Sequence, residues 1–122
     1  MPKFKHVILV LAVLWTAFIV YGLVTTPSEI PRFEWLLLPG MDKLIHLVLF
    51  GVEAVLLGVY ASHGLGKQLW IPILVWCFML GAGLEIIQYY WVDGRSGDVF
   101  DLLADVLGAG LGLLVNQLFL KK

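Results

Sequence analysis

A shortage of charge, of cysteine and of basic clusters narrows this sequence before any motif is considered. Only 14% of its 122 residues are charged, where a soluble domain carries roughly 25%. One cysteine, Cys77, stands in the middle of an apolar run. It has no intramolecular disulfide partner, and its simplest role is that of a small apolar packing residue. No basic patch interleaves with exposed aromatics, which excludes nucleic acid as a partner. Internal repeats and low-complexity tracts are absent. No dense ligand motif of the HExxH kind occurs, so no metal site is assigned and no cofactor is expected.

What remains is apolar sequence in long runs. Hydrophobic residues make up 61% of the chain, and its mean hydropathy is +0.95. This is the composition of an integral membrane protein with room for one domain, residues 1–122. A spanning helix needs about 20 apolar residues. Four stretches qualify, at about 6–24, 43–61, 69–90 and 99–120. The expected fold is an all-α bundle of four transmembrane helices. The run from Val7 to Val24 exceeds the roughly 7–15 residues of a signal-peptide core. No small-x-small cleavage site follows it, so it reads as a retained span.

Aromatics mark the expected interfaces: Tyr21, Tyr60, Trp70 and the run Tyr89-Tyr90-Trp91. Trp15 and Trp76 lie deeper and are expected to pack. Between the first two spans stand Pro27, Pro31 and Pro39 and the apolar stretch from Phe33 to Leu38. Proline stops helices, and an interfacial segment anchored by Trp35 is expected there. Ser62–Gln68 is expected to form a tight helical hairpin.

Charge is segregated by side. Glu29, Glu34, Asp42, Glu53, Glu85, Asp93, Asp98, Asp101 and Asp105 lie in, or on helices running into, the two loops of one side. The other side carries Lys3, Lys5, Lys67, Lys121 and Lys122 and no acid. The positive-inside rule places the lysine side, with both termini, in the cytoplasm. The acids then gather on the outer side, together with Arg32, Lys43 and Arg95.

Residues three, four or seven apart share a helix face. Asp42, His46 and Glu53 form such a stripe on the second helix. Gly81, Glu85 and Gln88 form one on the third. Asp98, Asp101, Asp105, Gly108, Gly112 and Asn116 form one on the fourth. Polar stripes in lipid turn toward one another. The last three helices are therefore expected to enclose a site, with the first outside as an apolar support. A rise of about 1.5 Å per residue puts Glu85 roughly 9 Å below Trp91, and Glu53 roughly 16 Å below Asp42, near the bilayer middle. Gly108 and Gly112 permit close helix approach, either within the bundle or in a homo-oligomer. Arg95, in a turn, can clamp Asp98 or Glu85, or await a phosphate or carboxylate. His46 can belong to a proton-sharing network, act in acid–base chemistry, or join carboxylates around zinc or manganese.

Taken together, Asp42-Lys43-x-x-His46, then Glu85-x-x-Gln88, then Gly94-Arg95-x-x-Asp98-x-x-Asp101-x-x-x-Asp105-x-x-Gly108-x-x-x-Gly112 resemble the VanZ-like family in order and spacing. The family consists of small bacterial multi-span proteins. Its namesake is an accessory factor in glycopeptide-antibiotic resistance that lowers sensitivity to teicoplanin. The resemblance implies a bacterial cytoplasmic membrane location. It also implies a ligand-binding set of Asp42, His46, Glu85, Gln88, Arg95, Asp98 and Asp101, to which the fourth-helix stripe adds Asp105. The family often carries asparagine where this chain has Asp105, which puts a simple amide role there in doubt.

Three functions follow as expectations. The first is an accessory protein in envelope homeostasis or antibiotic resistance, binding an envelope precursor, lipid headgroup or glycopeptide in an outer-leaflet polar pocket. The second is an intramembrane enzyme working on a lipid-linked substrate through His46 and carboxylates. The third is proton or cation transport through Glu53.

Overall fold

The computed structural model describes residues 2–25, 38–65, 68–92 and 98–120. Four helices cover almost all of them: α1 (Pro2–Val24), α2 (Met41–Val59), α3 (Trp70–Trp91) and α4 (Val99–Leu120). Each is long and apolar enough to cross a membrane. The expected interfacial segment, apart from Leu38 and Pro39, lies outside the described residues. So do Glu29, Glu34, Asp93, Arg32, Arg95, Lys67, Lys121 and Lys122.

Helix ends follow local chemistry more closely than hydropathy. Proline at the first position of α1 has its φ preset and loses no bond, so the helix starts at Pro2, ahead of the expected His6. Gly40 precedes α2 with φ of 78°, a left-handed conformation that favours glycine. The Leu44 amide bonds back to the Gly40 carbonyl at 3.1 Å, and α2 begins two residues before Lys43. At its far end α2 widens into a π-helical turn, Tyr60–Gly64. There the Leu65 amide reaches the Tyr60 carbonyl five residues back. The first residues of the expected hairpin loop are therefore helical, and the Ser62 hydroxyl donates to the Gly58 carbonyl at 2.8 Å. Pro72 sits in the first turn of α3, where amides lack intrahelical partners anyway. At α4 the Asp98 carboxylate accepts the Phe100 amide at 2.9 Å, a side-chain N-cap.

The bundle is apolar outside, and its interior combines an apolar core with buried polar side chains. Val7, Val10, Val13, Leu14 and Phe18 of α1, and Leu103, Leu107, Leu111 and Leu118 of α4, are exposed at helical spacing. Such faces are suited to contact with lipid. Inside, Ile19, Phe50, Ala54, Cys77, Ala109 and Leu113 form the apolar core. Lipid is as apolar as leucine, so association depends on close packing and interhelical hydrogen bonds. The most extensive contact joins α2 to α4. A methyl group on Gly108 would collide with the Leu47 backbone, and one on Gly112 with the Gly51 carbonyl. That face of α4 is occupied by α2 within the chain. Asn116 adds a polar tie, its amide donating to the Val55 carbonyl at 3.1 Å.

Gly108→Leu or Gly112→Leu is expected to destabilise the bundle by about 3 kcal/mol, the upper end of overpacking costs. Gly110→Ala, which meets open space, is expected to be tolerated. Thermal unfolding of the three variants in detergent checks this.

Candidate functional site

Parallel packing of α2 on α4 brings their N-terminal turns together, and antiparallel α3 closes the group with its last turns. Lys43 begins the assembly at the surface. Its Nζ lies 2.9 Å from Asp42 Oδ2, 2.8 Å from Asp98 Oδ2 and 3.1 Å from Asp101 Oδ1. One turn deeper, the buried His46 ring takes over. Its Nδ1 lies 2.7 Å from Asp105 Oδ1, and its Nε2 lies 3.6 Å from Asp101 Oδ2. Asp105 is fully buried. Glu85, from α3, accepts the Asp98 backbone amide at 2.7 Å. Asp98 is thereby held from both sides, as acceptor for Phe100 and as donor to Glu85.

Six of the sequence-expected site residues therefore converge: Asp42, His46, Glu85, Asp98, Asp101 and Asp105. Gln88 faces elsewhere. Its amide nitrogen donates to the Leu23 carbonyl at 2.8 Å. That carbonyl belongs to the last turn of α1, where helical acceptors lack intrahelical donors. Arg95 lies outside the described residues. Among the described residues, the cation that meets the acids is Lys43, whose long stem lets it reach a stripe it does not sit on. The family-like Asp-Lys pairing at 42–43 was the available signal for it.

Glu53 lies deeper and is fully buried. The Thr16 hydroxyl donates to its Oε2 at 2.6 Å and the Trp76 indole at 2.9 Å. Two expectations change here. Helix α1 is more than an apolar support, since it supplies Thr16 to Glu53 and the Leu23 carbonyl to Gln88. Trp15 and Trp76 are hydrogen-bond donors as well as packing residues, Trp15 reaching the Leu49 carbonyl at 2.8 Å. An indole has an apolar body and one donor, and in lipid that donor needs an acceptor.

The electrostatics are lopsided. Among the described residues at this end, five carboxyl groups meet one ammonium and one imidazole. Three buried carboxylate oxygens have no hydrogen-bond partner among the described residues: Glu53 Oε1, Glu85 Oε1 and Asp105 Oδ2. An arrangement with spare buried acceptors is suited to a donor or cation from outside the bundle. A cavity of about 40 Å³ between Gly58, Ser62, Trp70 and Asn116 lies at the opposite end of the helices.

A family model described as VanZ/LLP1 covers residues 4–120. No curated protein and no solved structure matches the chain.

Asp98 stands just outside α4, and the hydrogen bond from the Lys43 ammonium holds its carboxyl below the usual carboxylate range. A depressed native pKa stabilises the fold above the unfolded value of about 3.9 and loses that contribution as pH falls through the native value. Asp98→Asn keeps a capping side chain and removes the charge. Its unfolding midpoint is expected to fall less steeply than the wild type's between pH 5 and pH 2, measured in detergent at low salt.

Proposed function

The chain belongs to the VanZ/LLP1 family, and from that premise we propose that it is a multi-pass protein of a bacterial cytoplasmic membrane that binds a polar envelope ligand at its acid-rich end. Both termini face the cytoplasm in this reading, and the cluster faces outward. The ligand class is an envelope precursor, lipid headgroup or glycopeptide carrying amine or hydroxyl donors. The observation that carries the proposal is the convergence of Asp42, His46, Glu85, Asp98, Asp101 and Asp105 from three helices, with buried acceptor oxygens left over. Intramembrane carboxylates are costly and usually serve a ligand or an ion. The carboxylates would take the ligand's amines and hydroxyls. Lys43, released from one of its three carboxylate partners, would meet an anionic group. An accessory role in envelope homeostasis or glycopeptide resistance follows from that binding.

One observation favours a second reading, an intramembrane enzyme on a lipid-linked substrate. Asp105 orients the His46 ring at 2.7 Å, the arrangement of a general base with its positioning carboxylate. Release of a labelled headgroup by wild type but not by His46→Ala would support that chemistry.

The binding reading is tested by native mass spectrometry after gentle purification, alongside teicoplanin sensitivity of cells expressing the chain. Wild type is expected to retain a lipid-linked or glycopeptide species and to lower sensitivity. Asp101→Asn and His46→Ala are expected to lose both, by at least tenfold in retained ligand. Full retention and full resistance in both folded variants would make the polar cluster a packing device and end the proposal.

A further inference from the structure

The spare oxygens are not spread evenly through the cluster. At the surface, the space among Asp42, Asp98 and Asp101 is taken by the Lys43 ammonium, within 2.8–3.1 Å of each carboxylate. The deeper trio of His46, Glu85 and Asp105 contains no lysine. Each of the three offers one donor atom, and these atoms lie within 4.8 Å of one another. All three residues are buried, Asp105 completely and Glu85 to nine-tenths. Asp105 Oδ2 and Glu85 Oε1 lack any hydrogen-bond partner among the described residues.

The α3 backbone comes close to the spare oxygen of Asp105. Gly81 stands one turn before Glu85 on α3, and a β-carbon there would sit 2.6 Å from Asp105 Oδ2. A larger residue would press directly on the spare oxygen. The neighbours also orient the trio. Asp98's amide fixes Glu85 Oε2, and Asp101 Oδ2 lies 3.6 Å from His46 Nε2. Metal-bound imidazoles commonly donate their second N–H to a carboxylate; Asp101 stands beside that nitrogen at 3.6 Å, just beyond hydrogen-bond distance.

We propose that His46, Glu85 and Asp105 form a binding site for one divalent transition-metal ion of the zinc or manganese class, buried between α2, α3 and α4. An imidazole with two carboxylates suits those ions. Two ionised carboxylates and a neutral imidazole carry the charge that one divalent cation balances, which removes the cost of leaving them buried together. Ligand atoms about 2.1 Å from one ion stand roughly 3–4 Å apart, so atoms that now lie within 4.8 Å of one another close on an ion by side-chain movements of about an ångström. Three protein ligands leave a coordination position open. An oxygen of the envelope ligand can take it, so the inference rests on the binding reading above and adds an ion to it.

The test uses the full chain, stripped with chelator and held in detergent micelles without added lipid or glycopeptide. It is titrated with manganese chloride and, separately, zinc chloride. One equivalent per chain is expected. Pulsed electron paramagnetic resonance of the manganese form is expected to show nitrogen coupling from one imidazole. That coupling is expected to persist in a His6→Gln/His63→Gln background and to vanish on adding His46→Gln. Glu85→Gln and Asp105→Asn are each expected to weaken binding at least tenfold. Absence of stoichiometric binding by the wild-type chain overturns the proposal, as does absence of nitrogen coupling in the double-glutamine background. Loss of binding on Asp98→Asn but not on Asp105→Asn also overturns it, by moving the ion to the surface acids. Because no organic ligand is present, a failed titration beside successful ligand retention rejects the ion alone. The converse result rejects the headgroup reading alone.

Discussion

The close crossing of α2 and α4 is the constraint on which the rest of the molecule depends. Gly108 lies against the Leu47 backbone and Gly112 against the Gly51 carbonyl. Helices this close have little freedom to slide, and their register decides which side chains meet. His46 precedes Leu47, and Asp105 lies one turn before Gly108. The glycine contact therefore delivers the imidazole to the carboxylate at 2.7 Å. Lower down, the same register brings the Asn116 amide to the Val55 carbonyl. In lipid, where apolar burial gives little drive to helix association, close packing and interhelical hydrogen bonds take over that task. Here the two are consecutive steps on the same pair of helices.

The other helices complete what that pair begins. Helix α3 supplies Glu85 to the upper cluster and the Trp76 indole to Glu53. Helix α1 supplies the Thr16 hydroxyl to Glu53 and accepts the Gln88 amide at its last turn. The result is a graded polar column. Lysine and carboxylates share charge at the surface, a histidine and carboxylates follow one turn below, and a lone glutamate with neutral donors lies deepest. At the deepest level the partners of the Glu53 carboxyl group come from two helices other than its own, α1 and α3.

Much of this was legible in the residues. Spacings of three, four and seven on three helices placed Asp42, His46, Glu85, Asp98, Asp101 and Asp105 on inward stripes, because a polar stripe has one place to turn in hydrocarbon. The glycine pair on α4 was legible from its four-residue spacing, which permits close helix approach. What spacing missed were groups whose polar atom is small or remote from its Cα. Thr16 and Trp76 count as minor or apolar positions in a hydropathy sum, yet each carries a donor that reaches Glu53. Lys43 lies off the acidic stripe and reaches it through a long stem. Gln88 shares the face of Glu85, but a free carbonyl at the end of α1 draws its amide away. Helix starts at Pro2 and Met41 escaped hydropathy because backbone hydrogen bonding continues past the apolar boundary.

The central claim is that α2 and α4 meet in a register that sets His46 against Asp105 in the interior of the bundle. Solid-state nuclear magnetic resonance of the chain in lipid bilayers, with the His46 ring labelled with nitrogen-15 and Asp105 with carbon-13, tests it most directly. The account predicts a strong dipolar correlation between His46 Nδ1 and the Asp105 carboxyl carbon, as the 2.7 Å contact requires. Absence of that correlation in a folded, bilayer-embedded sample would contradict it.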